Sequence, residues 1–535
     1  MRQAPQARPA DSDQQPVSLW TPLRIPVFRN LFIADLVSDT GTFMQSVGAA
    51  WLMVSLGAST TLVALTQTAS SLPFFLFALP AGAIGDIVDR RKLILYCEYW
   101  MVAVASLLAI ATIAGVMSPW LLLGLTFALS AGDAIETPTW RAVLPELVGK
   151  KDLAAASALN GIEFNFARAV GPALAGALIA VAGVGAAFVV NVISFIGVIG
   201  VIVRWKRPAR RSLTPRETLG GATIAAVRYV RYSPTLRLVM LRAGITMFAG
   251  SGLLALLPSV ARTMSANAGV FGILLGCFGA GAVLGGVSMQ AVRRRWSLEG
   301  AAEIAIVILG AAITAAATVG GVLALSLVMV LAGAGWLIFI SLVSALVQTL
   351  SPDWARARVL AVFILIFQGG LAAGSATWGA VATRTGLARA LLLAGLSTLA
   401  TVVLGRIARL PETTRDLTPW NHWRMPDVVH DASALEQGPV LVTVRYRVRQ
   451  QQAEGFLRAM HKYGRIRRRD GASWWGIFRD VEQADVYLET FLVASWAEHV
   501  RQHDRFTSAD REIEAQVRER VEEEPDVRHF IDTDS

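Results

Sequence analysis

The sequence predicts an all-α polytopic membrane protein with twelve transmembrane helices in two six-helix repeats, followed by a small C-terminal α+β ferredoxin-like domain. Composition is the first reason. Hydrophobic residues make up 54% of the 535 residues and charged residues 16%, and the mean hydropathy is +0.51. Such values are far from those of soluble domains. The other two reasons are the lengths of the apolar segments and an internal repeat.

Twelve apolar segments are long enough to cross a bilayer, since a membrane helix needs roughly 20 such residues for about 30 Å of hydrocarbon. They are 30–56, 60–85, 92–115, 118–140, 155–182, 185–204, 237–262, 268–291, 300–320, 322–350, 357–382 and 387–406.

Basic residues alternate between the two sides of these segments. Loops on the side of the N-terminus hold most of them, as at 90–92 and 293–295, and the opposite loops hold only Arg262, Arg384 and Arg389. Because basic loops stay in the cytoplasm, we expect a multi-pass protein of the plasma membrane with both termini cytoplasmic. The net charge of +10 then reflects topology, and we expect no nucleic-acid partner.

A shift of 203 residues without gaps aligns the two groups of segments. Of the 16 glycines in 29–206, six fall on a glycine, where composition alone predicts roughly two. Such parallel repeats are typical of transporters with two halves. The pairs are Gly41 and Gly244, Gly82 and Gly285, Gly132 and Gly335, Gly171 and Gly374, Gly176 and Gly379, and Gly183 and Gly386.

The chain therefore divides into six parts. We expect a disordered cytoplasmic arm at 1–28, an N-terminal six-helix half at 29–206 and a central cytoplasmic loop at 207–236. A C-terminal six-helix half follows at 237–410, then a linker at 411–438 and the ferredoxin-like cytoplasmic domain at 439–533. Residues 1–28 lack the apolar stretch of a cleavable signal peptide.

A glycine, an acid and paired basic residues follow the second predicted span. The stretch contains Gly82, Asp86, Asp89, Arg90 and Arg91. It resembles the loop signature of the major facilitator superfamily, although Ile87 replaces the usual arginine and Asp89 the usual glycine. The Asp-Arg-Arg variant resembles the siderophore and drug exporter branch, which includes the enterobactin exporter. The stretches 137–148 and 160–172 support this branch, and the resemblance covers about 30–410.

This loop has two possible roles. Asp86 and Arg90 are four residues apart, so they are expected to pair on one helix face and to latch the cytoplasmic side shut in one state. The alternative is that Arg90, Arg91 and Lys92 only set the orientation of the helices.

A second element, Gly171-Pro172 followed by Gly176, resembles the antiporter signature on helix five of the same superfamily. The resemblance implies a secondary transporter that exports small amphiphilic molecules such as drugs or siderophores.

Acidic residues inside apolar spans are candidates for proton coupling or cargo binding, because charge is costly in lipid. Asp39 and Glu163 lie roughly 15 Å into their spans, near the middle of the membrane. Asp35 is shallower, and Asp133 and Glu136 lie near the inner end of span four. A mid-depth carboxyl is suited to exchange a proton as access alternates.

Three arginines are candidate partners of these acids. An ion pair with Arg141 or Arg168 is the alternative role for the shallower acids. The 203-residue shift also places Asp39 on Arg242, so we expect these two to face each other when the cavity closes. The alternative is that Arg242 reaches the inner surface and never meets Asp39.

The C-terminal segment has the order β-α-β-β-α-β of a ferredoxin-like split fold. We expect strands at 440–448, 474–478, 487–496 and 527–531, and helices at 451–468 and 497–523. The stretch 495–505 resembles dimeric α/β-barrel domains related to antibiotic-biosynthesis monooxygenases. This resemblance implies dimerisation through the C-terminal domain.

The histidines and tryptophans of this domain have simpler interpretations than catalysis. His499 and His503 are one helical turn apart, which suits a metal, but a solvated helix face is the alternative and we expect no metal and no cofactor. Trp474, Trp475 and Trp496 are expected in the core or in dimer contacts.

Three functions remain open from the sequence. The first is a proton-coupled exporter whose tail regulates or dimerises, the second a fused enzyme-transporter whose tail oxidises the cargo, and the third an importer of the same fold. The sequence has no GxxxxGK[ST] loop, which argues against transport driven by ATP. Cys97 and Cys277 lie in apolar runs and are expected to pack as small hydrophobic residues.

Overall fold

The computed structural model describes residues 18–149, 151–205, 219–265, 267–407, 409–411, 416–420 and 437–532. Six long helices come first, separated by short turns. Asp89 and Ser118 cap two of them, by accepting hydrogen bonds from the backbone N–H groups of Lys92 and Leu121. The six are α1 Pro26–Ser55, α2 Thr60–Ile87, α3 Arg90–Ile113, α4 Pro119–Leu147, α5 Leu153–Ala182 and α6 Val184–Arg204.

A short helix, α7 (Leu219–Tyr232), leads into a second group. Two of the spans expected there consist of consecutive shorter helices, namely α8 with α9 and α14 with α15. The second group is α8 Pro234–Gly250, α9 Gly252–Met264, α10 Ala268–Arg295, α11 Leu298–Ala316, α12 Val322–Thr349, α13 Arg356–Thr385, α14 Leu387–Ala400 and α15 Leu404–Ile407.

Ten helical segments among the described residues are long and apolar enough to cross a membrane. The helices α1 and α4 have 30 and 29 residues but are not among the ten. They carry four of the predicted acidic site residues. The predicted count of twelve therefore depends on whether these two acid-bearing helices also cross.

Glycines let the helices approach each other at the positions that the 203-residue shift aligns. A Cβ at Gly132 of α4 would lie 2.8 Å from Met101 of α3, and one at Gly335 of α12 would lie 2.7 Å from the carbonyl oxygen of Ala305 of α11. Each glycine thus seats the fourth long segment of its group against the third.

The turns at Gly183 and Gly386 are a further aligned pair. Their φ values are +79° and +90°, a region open mainly to glycine. One joins α5 to α6 and the other joins α13 to α14.

The beginning of the chain departs from the expectation of a disordered arm at 1–28. Thr21–Arg24 form a 3-10 helix. Leu19, Leu23 and Ile25 pack with Phe28 against Leu159 of α5. Apolar side chains in this short stretch have a partner surface, which the sequence alone does not reveal. Residues 1–17 lie outside the described residues.

The C-terminal domain has the predicted order of strands and helices. Its elements are β1 Val440–Arg447, α16 Ala453–Asp470, β2 Trp474–Arg479, β3 Val486–Val493, α17 Trp496–Arg505, α18 Ser508–Arg518 and β4 Asp526–Ile531. The sheet is antiparallel in the order β2-β3-β1-β4, as in a ferredoxin-like split fold.

Two predicted boundaries in this domain are wrong. The third strand ends at Val493 instead of Trp496, because Ser495 caps a helix that begins at Trp496. The predicted helix 497–523 is two helices. They are separated at Phe506, whose backbone is extended, and a capping box between Thr507 and Asp510 starts the second one.

Candidate functional site

Six acidic side chains lie inside the first group of helices. Glu98, Glu136 and Glu163 are only 3%, 8% and 3% exposed, and the other three are half-buried. Five were predicted and Glu98 was not. The six are Asp35 and Asp39 on α1, Glu98 on α3, Asp133 and Glu136 on α4, and Glu163 on α5.

These side chains form one cluster, because each lies within electrostatic range of others. Asp39 interacts in this way with Asp35, Glu163 and Asp133. Glu136 interacts with Glu98, and next with Asp133. The packing of α1 against α5 and of α3 against α4 brings the four helices together. We call the six residues the carboxyl cluster.

Hydrogen-bond donors satisfy two members of the carboxyl cluster. Trp140 Nε1 donates to Asp35 Oδ2 at 3.1 Å, and Thr137 Oγ1 donates to Asp133 Oδ1 at 3.0 Å. Both donors belong to α4, so this helix positions its own acid and one of α1.

The most deeply buried members lack such donors. Among the described residues, Glu98 Oε2, Glu136 Oε2 and Glu163 Oε1 are buried without a hydrogen-bond partner. Keeping a charged carboxylate in these surroundings is costly. The three side chains are therefore the members of the carboxyl cluster with the least compensation for a charge.

Of Arg141 and Arg168, only Arg141 acts on the carboxyl cluster. Arg141 exerts its charge on Asp133. Arg168 Cζ lies 5.9 Å from the centre of the Phe278 ring on α10. Arg168 is thus placed at the contact between the two helix groups and not in an ion pair with the acids of α1 or α4.

Arg242 has a different partner from the one expected. Its guanidinium is 1% exposed and binds Glu299 of α11 at 2.8 Å. Oε2 of that carboxylate, which accepts the hydrogen bond from Arg242 Nη1, also accepts one from the backbone N–H of Leu410 at 2.8 Å. The expected partner, Asp39, lies in the carboxyl cluster of the other helix group. A pair between Asp39 and Arg242 would require Arg242 to leave Glu299.

The loop after α2 also differs from the expectation. Asp86 and Arg90 do not share a helix, because α2 ends at Ile87 and Asp89 caps the start of α3. Arg90 donates to Glu146 at the end of α4, at 2.8 Å. The side chains of 82–87, including Gly82 and Asp86, lie outside the described residues.

Arg91 fixes the same loop to a third helix. Its guanidinium donates to the backbone carbonyls of Ile202 and Val203, at 3.0 and 2.7 Å, at the end of α6. Together, Arg90 and Arg91 tie the start of α3 to the ends of α4 and α6. Carbonyls at a helix C-terminus are natural acceptors for arginine.

The predicted signature of α5 forms two close helix contacts. A Cβ at Gly171 would lie 2.8 Å from Phe43 Cβ of α1, and a Cβ at Gly176 would lie 2.9 Å from Gly272 Cα of α10. Pro172 is buried beside them. This segment therefore packs α5 against both α1 and the second helix group.

Several contacts between the two helix groups lie at one end of the helices. Thr61 and Thr383 share a hydrogen bond of 2.7 Å, and the rings of Trp51 and Phe271 stack at 6.2 Å. With the contact at Gly176, they lie at the same end as the turns at Gly183 and Gly386. We call this end the far side, and the opposite end, where the C-terminal domain packs, the domain side.

The C-terminal domain is docked on the domain side through α7. Arg228 of α7 donates to Glu498 of α17 at 2.8 Å. Arg469 of α16 lies over the ring of Tyr229, 5.4 Å from its centre. This position joins the domain to α7, which itself contacts α2 of the first group and α13 of the second.

A third contact joins α17 directly to the second helix group. Arg505 Cζ lies 4.8 Å from the centre of the Trp354 ring, in the loop between α12 and α13. Trp354 in turn packs edge-on against Tyr229, at 5.7 Å. Burial raises the pKa of Tyr229 to about 12, so it remains a neutral hydrogen-bonding group.

Polar groups inside the C-terminal domain bond to one another. Glu489 is fully buried and accepts hydrogen bonds from Tyr446 and Trp475, each at 2.8 Å, and from Arg467 at 3.3 Å. This network accounts for Trp475 as a core residue. Trp496 is also buried, whereas Trp474 is about half exposed.

His499 and His503 do not form a solvated helix face. His499 is 1% exposed, and its Nε2 lies 3.4 Å from Nε2 of His503 and 3.1 Å from Nε2 of His529 on β4. Burial, and next the charges of His529 and Arg467, lower the pKa of His499 to about 3. Over the described parts of the chain, no group of three or more His, Cys, Asp or Glu residues is arranged to hold a metal ion.

Comparison with known proteins identifies the family. A family model described as a transmembrane secretion effector matches residues 17–535. The chain belongs to this family. It is a transporter of the major facilitator superfamily and not an enzyme. The match extends across the C-terminal domain, so that domain lies within the family's own boundaries.

The curated relatives include transporters, exporters and efflux proteins. The chain is 25% identical to the enterobactin exporter EntS of Citrobacter koseri, over 66% of this chain and 85% of that protein. It is also 25% identical to the staphyloferrin A transporter of Staphylococcus aureus, over 28% of this chain and only 38% of that protein. Macrolide efflux protein A of Streptococcus pyogenes is 23% identical over 33% of this chain and 42% of that protein.

Solved structures share the fold of the membrane part. A bacterial homologue of the human lysosomal transporter Spinster has a TM-score of 0.57 at 16% identity, covering 72% of this chain and 96% of that one. The nucleoside transporter NupG has a TM-score of 0.54 at 14% identity, covering 72% of this chain and 99% of that one.

Proposed function

We propose that the protein is a proton-coupled exporter of small amphiphilic molecules, such as drugs or siderophores, and that it works by alternating access. The observation that carries this proposal is the carboxyl cluster. Six acids lie inside one helix group, and three of them have buried oxygens without a donor among the described residues. A transporter has no structural need for such costly groups.

Proton exchange gives a functional reason for burying these acids. When water reaches Asp39 and Glu163 through the cavity, they release or accept a proton. When it closes, the charged form is disfavoured by burial and by the neighbouring acids. Cargo and proton then bind in alternation, and the proton gradient drives export.

We further propose twelve membrane helices in two halves, with α1 and α4 crossing the membrane like the other ten segments. Their acids explain their lower hydropathy. The aligned glycines support two equivalent halves, because Gly183 and Gly386 form the same turn between corresponding helices. The contacts made by Gly132 and Gly335 are equivalent as well.

The contacts on the far side favour an arrangement that is closed there and open toward the domain side. The basic loops on the domain side support a cytoplasmic position of that side. Both termini are then cytoplasmic, and the protein belongs to the bacterial inner membrane. Arg90 and Arg91 hold the cytoplasmic end of α3 against α4 and α6, and we propose that this loop, including Asp86, changes partners when the cytoplasmic side closes.

We propose that the C-terminal domain also pairs with a second copy. Trp474 and Phe478 stack at 6.0 Å and are about half exposed, on the face of the sheet that the helices do not cover. Leu488, opposite Phe478, and Phe530 extend this apolar face. Exposed apolar patches of this kind mark protein contacts.

Reconstituted vesicles test the main proposal. Full-length protein is inserted into liposomes, and movement of a macrolide or a fluorescent amphiphilic dye is followed under a proton gradient of either sign. Exchange of protons against the probe supports the exporter. Movement of probe and proton in the same direction indicates an importer of the same fold, and movement indifferent to the gradient contradicts proton coupling.

A further inference from the structure

Glu98 is the buried acid of the carboxyl cluster that has no role in the scheme above. It lies eight residues into α3, roughly 12 Å along the helix axis. It is 3% exposed, and no ion pair of Glu98 is found among the described residues. A buried carboxyl at this depth calls for a function.

The packing of α3 against α4 identifies its neighbour. A Cβ at Gly132 would lie 2.8 Å from Met101, so these two residues mark a close contact between the helices. The helices run in opposite directions. One turn toward the domain side from this contact leads back to Glu98 on α3 and forward to Glu136 on α4. Glu98 and Glu136 thus occupy facing turns.

Glu98 and Glu136 are alike in their hydrogen bonding. Each has a buried Oε2 without a hydrogen-bond partner among the described residues. The charged or ionisable groups that act on them are Asp35 and Asp39 of α1, Asp133 of α4 and the thiol of Cys97 on α3. All of these groups are acids, so ionising both glutamates would add to the repulsion.

A bound metal would be one solution, but no group of three or more metal-ligating residues in the described part of the chain is arranged to hold one. We therefore infer that Glu98 and Glu136 form a carboxyl pair that carries a second exchangeable proton, in addition to the one exchanged at Asp39 and Glu163. This inference rests on the proposed proton-coupled function.

The two proton sites have different positions and therefore different roles. Asp39 and Glu163 lie on the helices α1 and α5, which both contact the second helix group, through Trp51 with Phe271 and Gly176 with Gly272. The Glu98–Glu136 pair lies between α3 and α4 and is coupled to the first site by the charge of Asp39 on Glu136 and through Asp133 and Asp35. A change of charge at the first site is thus felt at the pair without direct contact with cargo.

Infrared spectroscopy tests the protonation directly and needs no cargo. Exposed carboxyl groups are ionised at neutral pH, so a carbonyl band of protonated carboxyl groups under these conditions reports buried acids. Glu98→Gln combined with Glu136→Gln in the full-length protein should weaken this band relative to wild type, while Glu98→Asp, which keeps both carboxyl groups, should retain it. An unchanged band in the double variant would mean that the pair is ionised and would overturn the inference.

Transport distinguishes this inference from the proposed function itself. For an uncharged probe under a pure proton gradient, two exchanged protons allow a limiting probe gradient equal to the square of the proton gradient. Glu98→Gln combined with Glu136→Gln should lower this to the first power, with transport retained. Loss of all proton-driven transport in this double variant, or no change in the limit, would contradict a second proton. Absence of proton-driven transport in wild type would instead refute the proposed function.

Discussion

Removal of the Arg228 side chain should loosen the C-terminal domain from the membrane part. Arg228 joins α7 to α17 by a 2.8 Å ion pair with Glu498, and the two side chains are 18% and 12% exposed. Loss of a charge-assisted hydrogen bond costs about 1.5 to 3 kcal/mol. Glu498 keeps Arg505 at 2.6 Å and Arg501 at 3.0 Å, so no unpaired charge remains and the lower figure applies.

A loss of about 1.5 kcal/mol raises the ratio of undocked to docked protein roughly tenfold. Hydrogen–deuterium exchange of the full-length protein in detergent measures this ratio, because α7 and α16 lose protection only when the interface opens. Arg228→Ala should therefore accelerate exchange in both helices by about tenfold. Arg231→Ala is the matched control, since Arg231 lies on the exposed face of the same helix.

Equal exchange in Arg228→Ala and in the control would refute the docking role of the ion pair. Reversing the pair provides a second check. Burial raises the pKa of Glu498, but hydrogen bonds and charge from Arg505, together with Arg228 and Arg501, outweigh this and lower it. The Glu498→Arg change would add a third guanidinium beside Arg501 and Arg505. Combined with Arg228→Glu, it should fail to restore docking.

Three other changes have defined outcomes. A chain ending near residue 412 should still reach the membrane and stay monodisperse in detergent, because Leu410 is the last of the described residues that packs in the core of the membrane part, and wholesale degradation would count against this. Gly176→Leu should force α5 away from Gly272 and lower the yield of folded protein, whereas Gly197→Leu, which meets nothing within 4 Å, should not. The pKa of His499 is lowered from 6.5 to about 3, so its contribution to the stability of the C-terminal domain is complete above about pH 6.5 and is lost as pH falls toward 3, by about 1.4 kcal/mol per unit. His499→Gln should flatten this dependence in unfolding followed by tryptophan fluorescence, and an unchanged slope would contradict the assignment.

The helical frame of the membrane part follows from the sequence because its cause is local. Apolar length sets a membrane helix, and each predicted span falls on one helix or on two consecutive helices. The C-terminal fold was predicted for the same reason, since strand alternation and helical spacing are local patterns. The helix break at Phe506 was missed because a capping box inside a charged stretch outweighs helix propensity there.

Partners of charged residues were harder to predict because they depend on contacts between distant segments. Arg242 pairs with Glu299 and Arg90 with Glu146, each more than fifty residues away. The 203-residue alignment suggested Asp39 as the partner of Arg242, and the four-residue spacing suggested Asp86 as the partner of Arg90. Neither kind of spacing predicts how the helices pack. Glu98, in contrast to these partners, could have been predicted from the sequence. It is an acid inside the predicted span 92–115, and the cost of charge in lipid makes such an acid a candidate functional residue.

Proton-driven transport by Glu163→Gln tests the central claim most directly. Glu163 is 3% exposed, and its Oε1 has no hydrogen-bond partner within the described residues. In vesicles, the variant should remain folded but lose accumulation of the macrolide or dye probe under a proton gradient, and Glu163→Asp, which keeps the carboxyl, should retain part of it. A Glu163→Gln variant that still builds the full wild-type probe gradient would contradict proton coupling at this residue.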